Sequence, residues 1–475
     1  MTARRLRALT SAGIYVGLNF LQKGIAFLLV PLYTRYLDAE QYGLVAIVLS
    51  VSTIASVAYS LSIDSAATRF YFKKDAGADH FRTSLGTLNG LVLVLMIVAT
   101  VLIAIVGPPI SRWLLPDVPF LPYIALGIVI AAAAPSYQIY ERLLRAKQQG
   151  GVYAVLTIGK LALQVGGTVL LVVVLRWGAV GVLTGVAVAS AVFAVIAMRS
   201  MVRDYGVQFD RDASRRIFAY TMPLLPNKFA AFAVTPIQNL LVSLFQSVAQ
   251  VGLFHIGSLM GNTLTMFGQS VNEAYTPWVF ARLENGDASG RRAIVRVSVA
   301  FVTLMSLLAL IGSLVAKEVF QLFVYGELRQ AWVIFPYFAF FGVANTVKNI
   351  WLTPLMYVEG GTKYAPVATY LNLALNVALG VALIPVAGIT GAAVSLLAGR
   401  AISSVVMMYY SRRTFDIGLT AAGMYLVPTL CLAVSMLAMT PLLDAPMVRF
   451  TIAGGAALFG LNLIRQNMGL WKRAG

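Results

Sequence analysis

The 475-residue chain has one cysteine and two histidines. Cys431 lies inside an apolar run, and His80 and His255 are far apart in sequence. That supply excludes a disulfide framework and a Cys/His metal set. Charged residues make up only 11% of the chain, against about 25% in ordinary soluble domains, so a water-facing globule is excluded as well. No GxxxxGK[ST] loop occurs, so this chain is not expected to hydrolyse ATP. A paired-aspartate cluster for Mg²⁺-diphosphate chemistry is missing, and two histidines so placed cannot complete a Ser/His/Asp arrangement. The chain is therefore expected to be neither an enzyme nor a holder of cofactor or metal.

What the sequence has in excess is apolar length. Hydrophobic residues account for 59% and the mean hydropathy is +0.81, enough for roughly fourteen spans of ~20 residues. Long apolar runs predict spans near 11–37, 41–62, 83–106, 119–141, 151–175 and 178–200. A second series falls near 216–244, 250–274, 293–320, 331–357, 363–386 and 388–410, and a final pair near 420–441 and 447–465. Arg4, Arg5 and Arg7 precede the first run as in a signal peptide. That run continues past Pro31 without a small-residue cleavage site, so the first helix is expected to remain in the protein.

Lys and Arg total 36 against 18 Asp and Glu, a formal net charge of +18. The basic residues cluster between apolar runs, a pattern of membrane orientation and attraction to anionic lipid rather than of nucleic-acid binding. With an inside N-terminus, alternating spans put twenty-five of the 36 in inside segments and six outside, leaving five within spans. Both termini are accordingly expected to be cytoplasmic.

The halves of the chain repeat. Lys23-x-x-Ala26-Phe27-x-x-x-Pro31 recurs as Lys228-x-x-Ala231-Phe232-x-x-x-Pro236, and Asp64-x-Ala66-x-Thr68 as Asn272-x-Ala274-x-Thr276. Lys160 to Val165 pairs with Asn372 to Val377, and Gly178 and Gly181 with Gly388 and Gly391. Matches in this order predict two six-helix lobes in parallel topology, related by a pseudo-two-fold axis along the membrane normal and facing a central cleft. The expected division is an N-lobe over 1–200, a cytoplasmic linker over 201–215, a C-lobe over 216–411, and two extra helices with a basic tail over 412–475.

Ionisable side chains within spans are costly and tend to face a cleft or one another. Cations dominate here: Lys23, Lys160, Lys228, Lys348 and Arg400. Lys23 and Lys228 hold equivalent repeat positions, so the axis would set them on opposite walls of one cavity, where an anion such as a diphosphate relieves their repulsion. The alternative for each is snorkelling to an interface or pairing with a carboxylate. Asp64 is expected to pair with Arg69 one turn on. Glu273, beside Asn272 and Gln269, is a candidate for a coupling proton or Na⁺, with Asp64 as a second. Asn372 and Asn376 are expected to bond between helices. Pro223, Pro226 and Pro236 predict a broken seventh helix, and Pro31 marks the first helix as a second point of kinking or gating.

Several short motifs carry a resemblance. The segment Pro31 to Gly43 (PLYTRYLDAEQYG) resembles the opening of bacterial Wzx-type oligosaccharide flippases. Arg69 to Phe72 (RFYF), Leu144 to Gln148 (LRAKQ), Pro223 to Pro226 (PLLP) and Val251 to Phe254 (VGLF) are similar to that family's pattern, in the expected order. The wider group is the multidrug, oligosaccharidyl-lipid and polysaccharide exporter superfamily, which is MATE-like. The resemblance implies an all-α fold of twelve or fourteen transmembrane helices in the bacterial inner membrane, working by alternating access without ATP hydrolysis. It implies an undecaprenyl-diphosphate-linked oligosaccharide as cargo, moved to the outer leaflet for O-antigen or exopolysaccharide synthesis, and a glycan polymerase or assembly complex as possible partner. Gln238 and Asn239 stand where the family commonly carries an acidic–basic pair, which leaves proton, Na⁺ or membrane potential open as the driving force. Related alternatives are a lipid II flippase and an ion-coupled multidrug antiporter.

Overall fold

The computed structural model describes residues 17–18, 21–22, 24–25, 27–72, 78–284, 288–440 and 446–472. Among them the regular structure is entirely helical, and nine helices are long and apolar enough to cross a bilayer. Every expected span from the second to the fourteenth has a helix at its place, and the chain is a multi-pass membrane protein. Most of the first span lies outside the described residues. The chain forms two compact units, Met1–Gly252 and Leu253–Gly475.

In the first unit, α1 (Val30–Tyr36) opens with Pro31 in its first turn, where a missing N–H costs no helical bond. Helix α2 (Ala39–Ser60) is N-capped by Asp38, whose carboxylate accepts from the Gln41 N–H at 2.8 Å. The second span does not run straight to its expected end. Leu61 and Ser62 adopt left-handed conformations (φ 40° and 61°), and a separate helix α3 (Ile63–Phe72) follows. That break puts Asp64 in the first turn of a new helix, where the macrodipole favours a carboxylate.

Helix α4 (Ala78–Leu114) is followed by α5 (Ala125–Ala146), α6 (Gly150–Val169) and α7 (Gly178–Tyr205). Small residues let these helices approach. A Cβ on Gly185 would meet Thr168 of α6, whose amide lies 2.8 Å from that position. The core of the unit gathers around Ile63, Leu85, Leu88, Ile139, Leu143 and Met201.

The 201–215 segment is not an open linker. Helix α7 runs to Tyr205, and α8 (Arg211–Thr221) begins under an Asp210 cap donated to by the Ala213 N–H at 2.6 Å. The five residues between are fastened to α4. Asn89 Nδ2 donates to the Met201 and Gly206 carbonyls at 3.2 and 2.9 Å, and the Gln208 N–H donates to Gly86 at 3.1 Å. The seventh span is interrupted as its prolines predict: α8 gives way to a 3₁₀ turn over Met222–Leu224 and then to α9 (Leu225–Phe245). Pro223 and Pro226 sit in the first turns of the turn and of α9, and only Pro236 lies inside a helix. Compact packing keeps α9 with the first unit, so the units do not part at 201–215 as the repeat boundary suggests.

The second unit takes most of α10 (Val248–Glu284) with α11 (Ala288–Leu314), α12 (Ala316–Phe323) and α13 (Phe335–Tyr357). One helical run, α14 (Tyr364–Thr414), covers the eleventh and twelfth expected spans and is broken at Gly388 (φ 57°, ψ −138°). The repeat partner of Gly388, Gly178, has the same left-handed φ of 56°. Their neighbours match too: a Cβ on Gly391 would strike the Leu383 carbonyl, and one on Gly181 would lie 3.2 Å from the Leu171 carbonyl. Here the sequence repeat is a repeat of backbone geometry. Helices α15 (Ala421–Leu437) and α16 (Pro446–Lys472) complete the unit. Its core includes Trp351, Met305, Val302 and Met424. Buried Arg449 ties α16 down through Glu318 Oε1 at 2.6 Å and the Leu314 carbonyl at 3.3 Å.

Candidate functional site

In each unit, charged side chains gather within the helices. In the first unit Asp64 is wholly buried. Lys228 of α9 donates from Nζ to Asp64 Oδ1 and to Ser60 Oγ, the latter at 3.1 Å, and Arg142 of α5 contacts Asp64 Oδ2 at 2.8 Å. The carboxylate thus joins α3, α5 and α9. The group carries two cations on one anion, with the Arg142 side chain 42% exposed and that of Lys228 13%.

This corrects two expectations. Asp64 does not pair with Arg69, whose guanidinium instead lies 4.2 Å from the ring centre of Tyr220. Lys228 is not an unpaired ammonium, because Asp64 neutralises it. Burial explains both outcomes, since a carboxylate deprived of water gathers the cations that share its depth even when they lie far away in sequence.

Lys160 also departs from the cleft-facing reading. Its Nζ sits 4.1 Å from the Tyr137 ring centre, within electrostatic reach of Glu141, which holds it between α5 and α6. Lys23 lies outside the described residues. Gln238 and Asn239 are buried, and Asn239 Nδ2 donates to Ser50 Oγ at 2.8 Å, a link between α9 and α2. Asn376 Nδ2 donates one turn back to the Asn372 carbonyl and Oδ1, at 2.7 and 3.2 Å, a link within α14.

The second unit holds a cluster of its own. Lys348 of α13 and Arg400 of α14 lie close enough to repel each other. Arg400 stacks over Phe341, 4.9 Å from its ring centre, while its Nε is buried without a hydrogen-bond partner. Among the described residues no carboxylate forms an ion pair with either cation. Glu273 is exposed on α10 and makes no ion pair there either. Among the described residues no group of three or more His, Cys, Asp or Glu could hold a metal ion.

Arg142 is the partner that sequence reasoning missed. Its signal was depth: Asp64, Arg142 and Lys228 each lie near the same end of their respective spans. A basic pocket, lined by Arg69, Arg216, Tyr220 and Pro223, was also unforeseen. Its residues come from two segments about 150 apart, and no local motif joins them.

Comparison with solved structures shows a shared fold. A structure titled "Lipid II flippase MurJ, inward closed conformation" matches with a TM-score of 0.73 at 12% identity, covering 96% of this chain and 99% of that one. An inward-facing multidrug-resistance MATE family transporter of the MOP superfamily matches with a TM-score of 0.55 at 14% identity, over 82% of this chain and 97% of that one. A mutant of the Vibrio cholerae MATE transporter VcmN matches with a TM-score of 0.51 at 15% identity, over 87% and 99% respectively. No curated protein sequence matches the chain. At the level of sequence families the match is direct: the family described as "Polysaccharide biosynthesis protein" covers residues 8–284, more than half of the chain, and the chain belongs to that family.

Proposed function

We propose that the protein is a flippase that carries a polyprenyl-diphosphate-linked oligosaccharide from the cytoplasmic to the outer leaflet of a bacterial inner membrane, by alternating access. Family membership supplies the polysaccharide context. The observation that carries the cargo assignment is the Lys348–Arg400 pair, two basic side chains in transmembrane helices within electrostatic reach of each other, with no carboxylate ion-paired to either among the described residues. Such a pair is expensive in a medium of low dielectric unless an anion visits it. A diphosphate spreads negative charge over several oxygens, which suit both an ammonium and a guanidinium. A carrier of cationic drugs calls for the opposite lining.

Asp64 already holds two cations and offers no net negative charge to a coupling ion. Glu273, exposed and without an ion pair among the described residues, is a candidate carboxylate for proton or Na⁺ coupling. Lipid II shares the diphosphate, so the test must separate the two cargoes.

The test is complementation of a strain lacking its oligosaccharide flippase. Lys348→Ala combined with Arg400→Ala is expected to lower surface glycan by tenfold or more at normal protein level, and Lys348→Arg to retain output. Wild-type glycan from the double variant refutes the reading. Rescue of a strain depleted of its lipid II flippase by the wild-type chain reassigns the cargo to lipid II.

A further inference from the structure

A second basic site lies in the first unit, separate from both intramembrane clusters. A cavity of about 440 Å³ is lined by Arg69 and Phe70 of α3, by Arg216, Ala219 and Tyr220 of α8, and by Pro223 and Leu224 of the 3₁₀ turn. Among the described residues no carboxylate lines it, and neither arginine forms an ion pair. Arg69 is held by the face of its guanidinium, 4.2 Å from the centre of the Tyr220 ring. Stacking fixes the plane of a guanidinium while leaving its N–H groups at the edge free to donate.

Depth decides what such a cavity meets. Past the 3₁₀ turn, α9 (Leu225–Phe245) has 21 residues, about 32 Å at 1.5 Å per residue, which by itself matches a hydrocarbon layer about 30 Å thick. The 3₁₀ turn and α8 before it therefore project beyond that layer. The projecting end is that of Arg211, Asp212, Arg215 and Arg216, because no charged residue follows Lys228 before Phe245. Arg216 stands nine residues before Leu225, so the cavity lies at the level of lipid headgroups.

The surrounding end of the unit is the basic one. Arg145, Lys147, Arg203 and Arg211 lie at the helix ends, where the Lys147–Asp204 ion pair and the Asn89 bonds join neighbouring segments. Phe70, Pro223 and Leu224 add an apolar rim on which the first carbons of a lipid chain can rest.

We propose that this cavity is a binding site for the phosphate headgroup of a membrane lipid, with Arg69 and Arg216 as its ligands and Tyr220 as the platform that orients Arg69. Two lipids carry that chemistry, a prenyl diphosphate such as the cargo proposed above and an ordinary anionic phospholipid. The site does not depend on the cargo assignment.

The test uses the purified full-length protein in phosphatidylcholine nanodiscs, titrated in separate arms with farnesyl diphosphate and with phosphatidylglycerol and followed by native mass spectrometry. Arg69→Ala combined with Arg216→Ala is expected to weaken binding at least tenfold in one or both arms, and Tyr220→Leu to weaken it less. A loss confined to the diphosphate arm assigns the site to the cargo. A loss confined to phosphatidylglycerol assigns it to bulk lipid, and a loss in both makes it a general phosphate site. Arg69→Lys with Arg216→Lys, which keeps the charge, should recover part of the affinity and show that folding is not at issue. Removing Lys348 and Arg400 should leave the loss caused by the Arg69/Arg216 change intact, so a wrong cargo assignment would not disguise the outcome. Unchanged affinity of the Arg69/Arg216 variant in both arms overturns the proposal.

Discussion

The Asp64 hub makes an asymmetric prediction about stability. Asp64→Asn leaves the Lys228 ammonium, 13% exposed, with its hydrogen bond to Ser60 Oγ. Stranding one member of a buried pair typically costs about 3–5 kcal/mol. Lys228→Met is milder, since Asp64 keeps Arg142 at 2.8 Å. Arg142→Ala is milder still, because that side chain is 42% exposed and solvent screens its contribution to about 1 kcal/mol or less. Combining Asp64→Asn with Lys228→Met removes both charges together, and replacing a buried pair by residues of similar size is often close to neutral. The double variant should therefore be more stable than Asp64→Asn alone. Reversible unfolding in mixed micelles at pH 7, followed by far-ultraviolet circular dichroism, measures all four. If Asp64→Asn costs no more than Arg142→Ala, or the double variant loses the sum of its two singles, the hub is not a mutually compensating buried pair.

Two further expectations concern contacts at the ends of helices. A Cβ on Gly252 would land on the Ala39 carbonyl, so Gly252→Ala must push the first turn of α10 from that of α2; overpacking of this kind costs about 1–3 kcal/mol, read as a lowered melting temperature. Burial disfavours the charged Lys147 ammonium, but its hydrogen bonds to Asp204 and Tyr205 outweigh that and raise its pKa above 10.5. A raised folded-state pKa stabilises fully below the unfolded value and fades as pH climbs through the folded one. The stability difference between wild type and Lys147→Gln should thus be flat from pH 6 to 9, stay under about 1 kcal/mol because Asp204 is largely exposed, and shrink only above pH 10.5.

The helices were readable because apolar runs separated by basic clusters are a statement about bilayer thickness, and thickness does not depend on tertiary detail. The pairing of Gly388 and Gly391 with Gly178 and Gly181 was readable from their common spacing, and the left-handed backbone that Gly178 and Gly388 share is what the structure adds. The partners of charges were not readable. Arg69 is the nearest cation to Asp64 in sequence, yet the break at Leu61 and Ser62 starts a new helix, and cations from α5 and α9 reach the carboxylate instead. The 201–215 segment reads as a linker from its polarity and its place midway between the two repeats. What pins it are Gly86 and Asn89, two unremarkable residues in an otherwise apolar helix. Composition records which groups need partners; only packing chooses them.

The break itself can be tested, and Ser62 is the place to do so. Its φ of 61° lies in the left-handed region, which costs a residue with a Cβ roughly 1–2 kcal/mol. Its hydroxyl is buried without a hydrogen-bond partner, and such a group carries a desolvation penalty of about 1–3 kcal/mol. Glycine relieves both and adds about 0.5–1 kcal/mol of backbone entropy cost. The balance favours Ser62→Gly as a stabilising change of about 1 kcal/mol or more, although it removes a side chain from a fully buried position. Leu61, the other left-handed residue, is half-buried and would lose packing as well as strain, so Leu61→Gly should not stabilise. Unfolding in the same mixed micelles separates the two. A loss of stability in Ser62→Gly would mean that the hydroxyl or its Cβ is needed to hold the break, and that Asp64 is not placed by backbone conformation in the way described above.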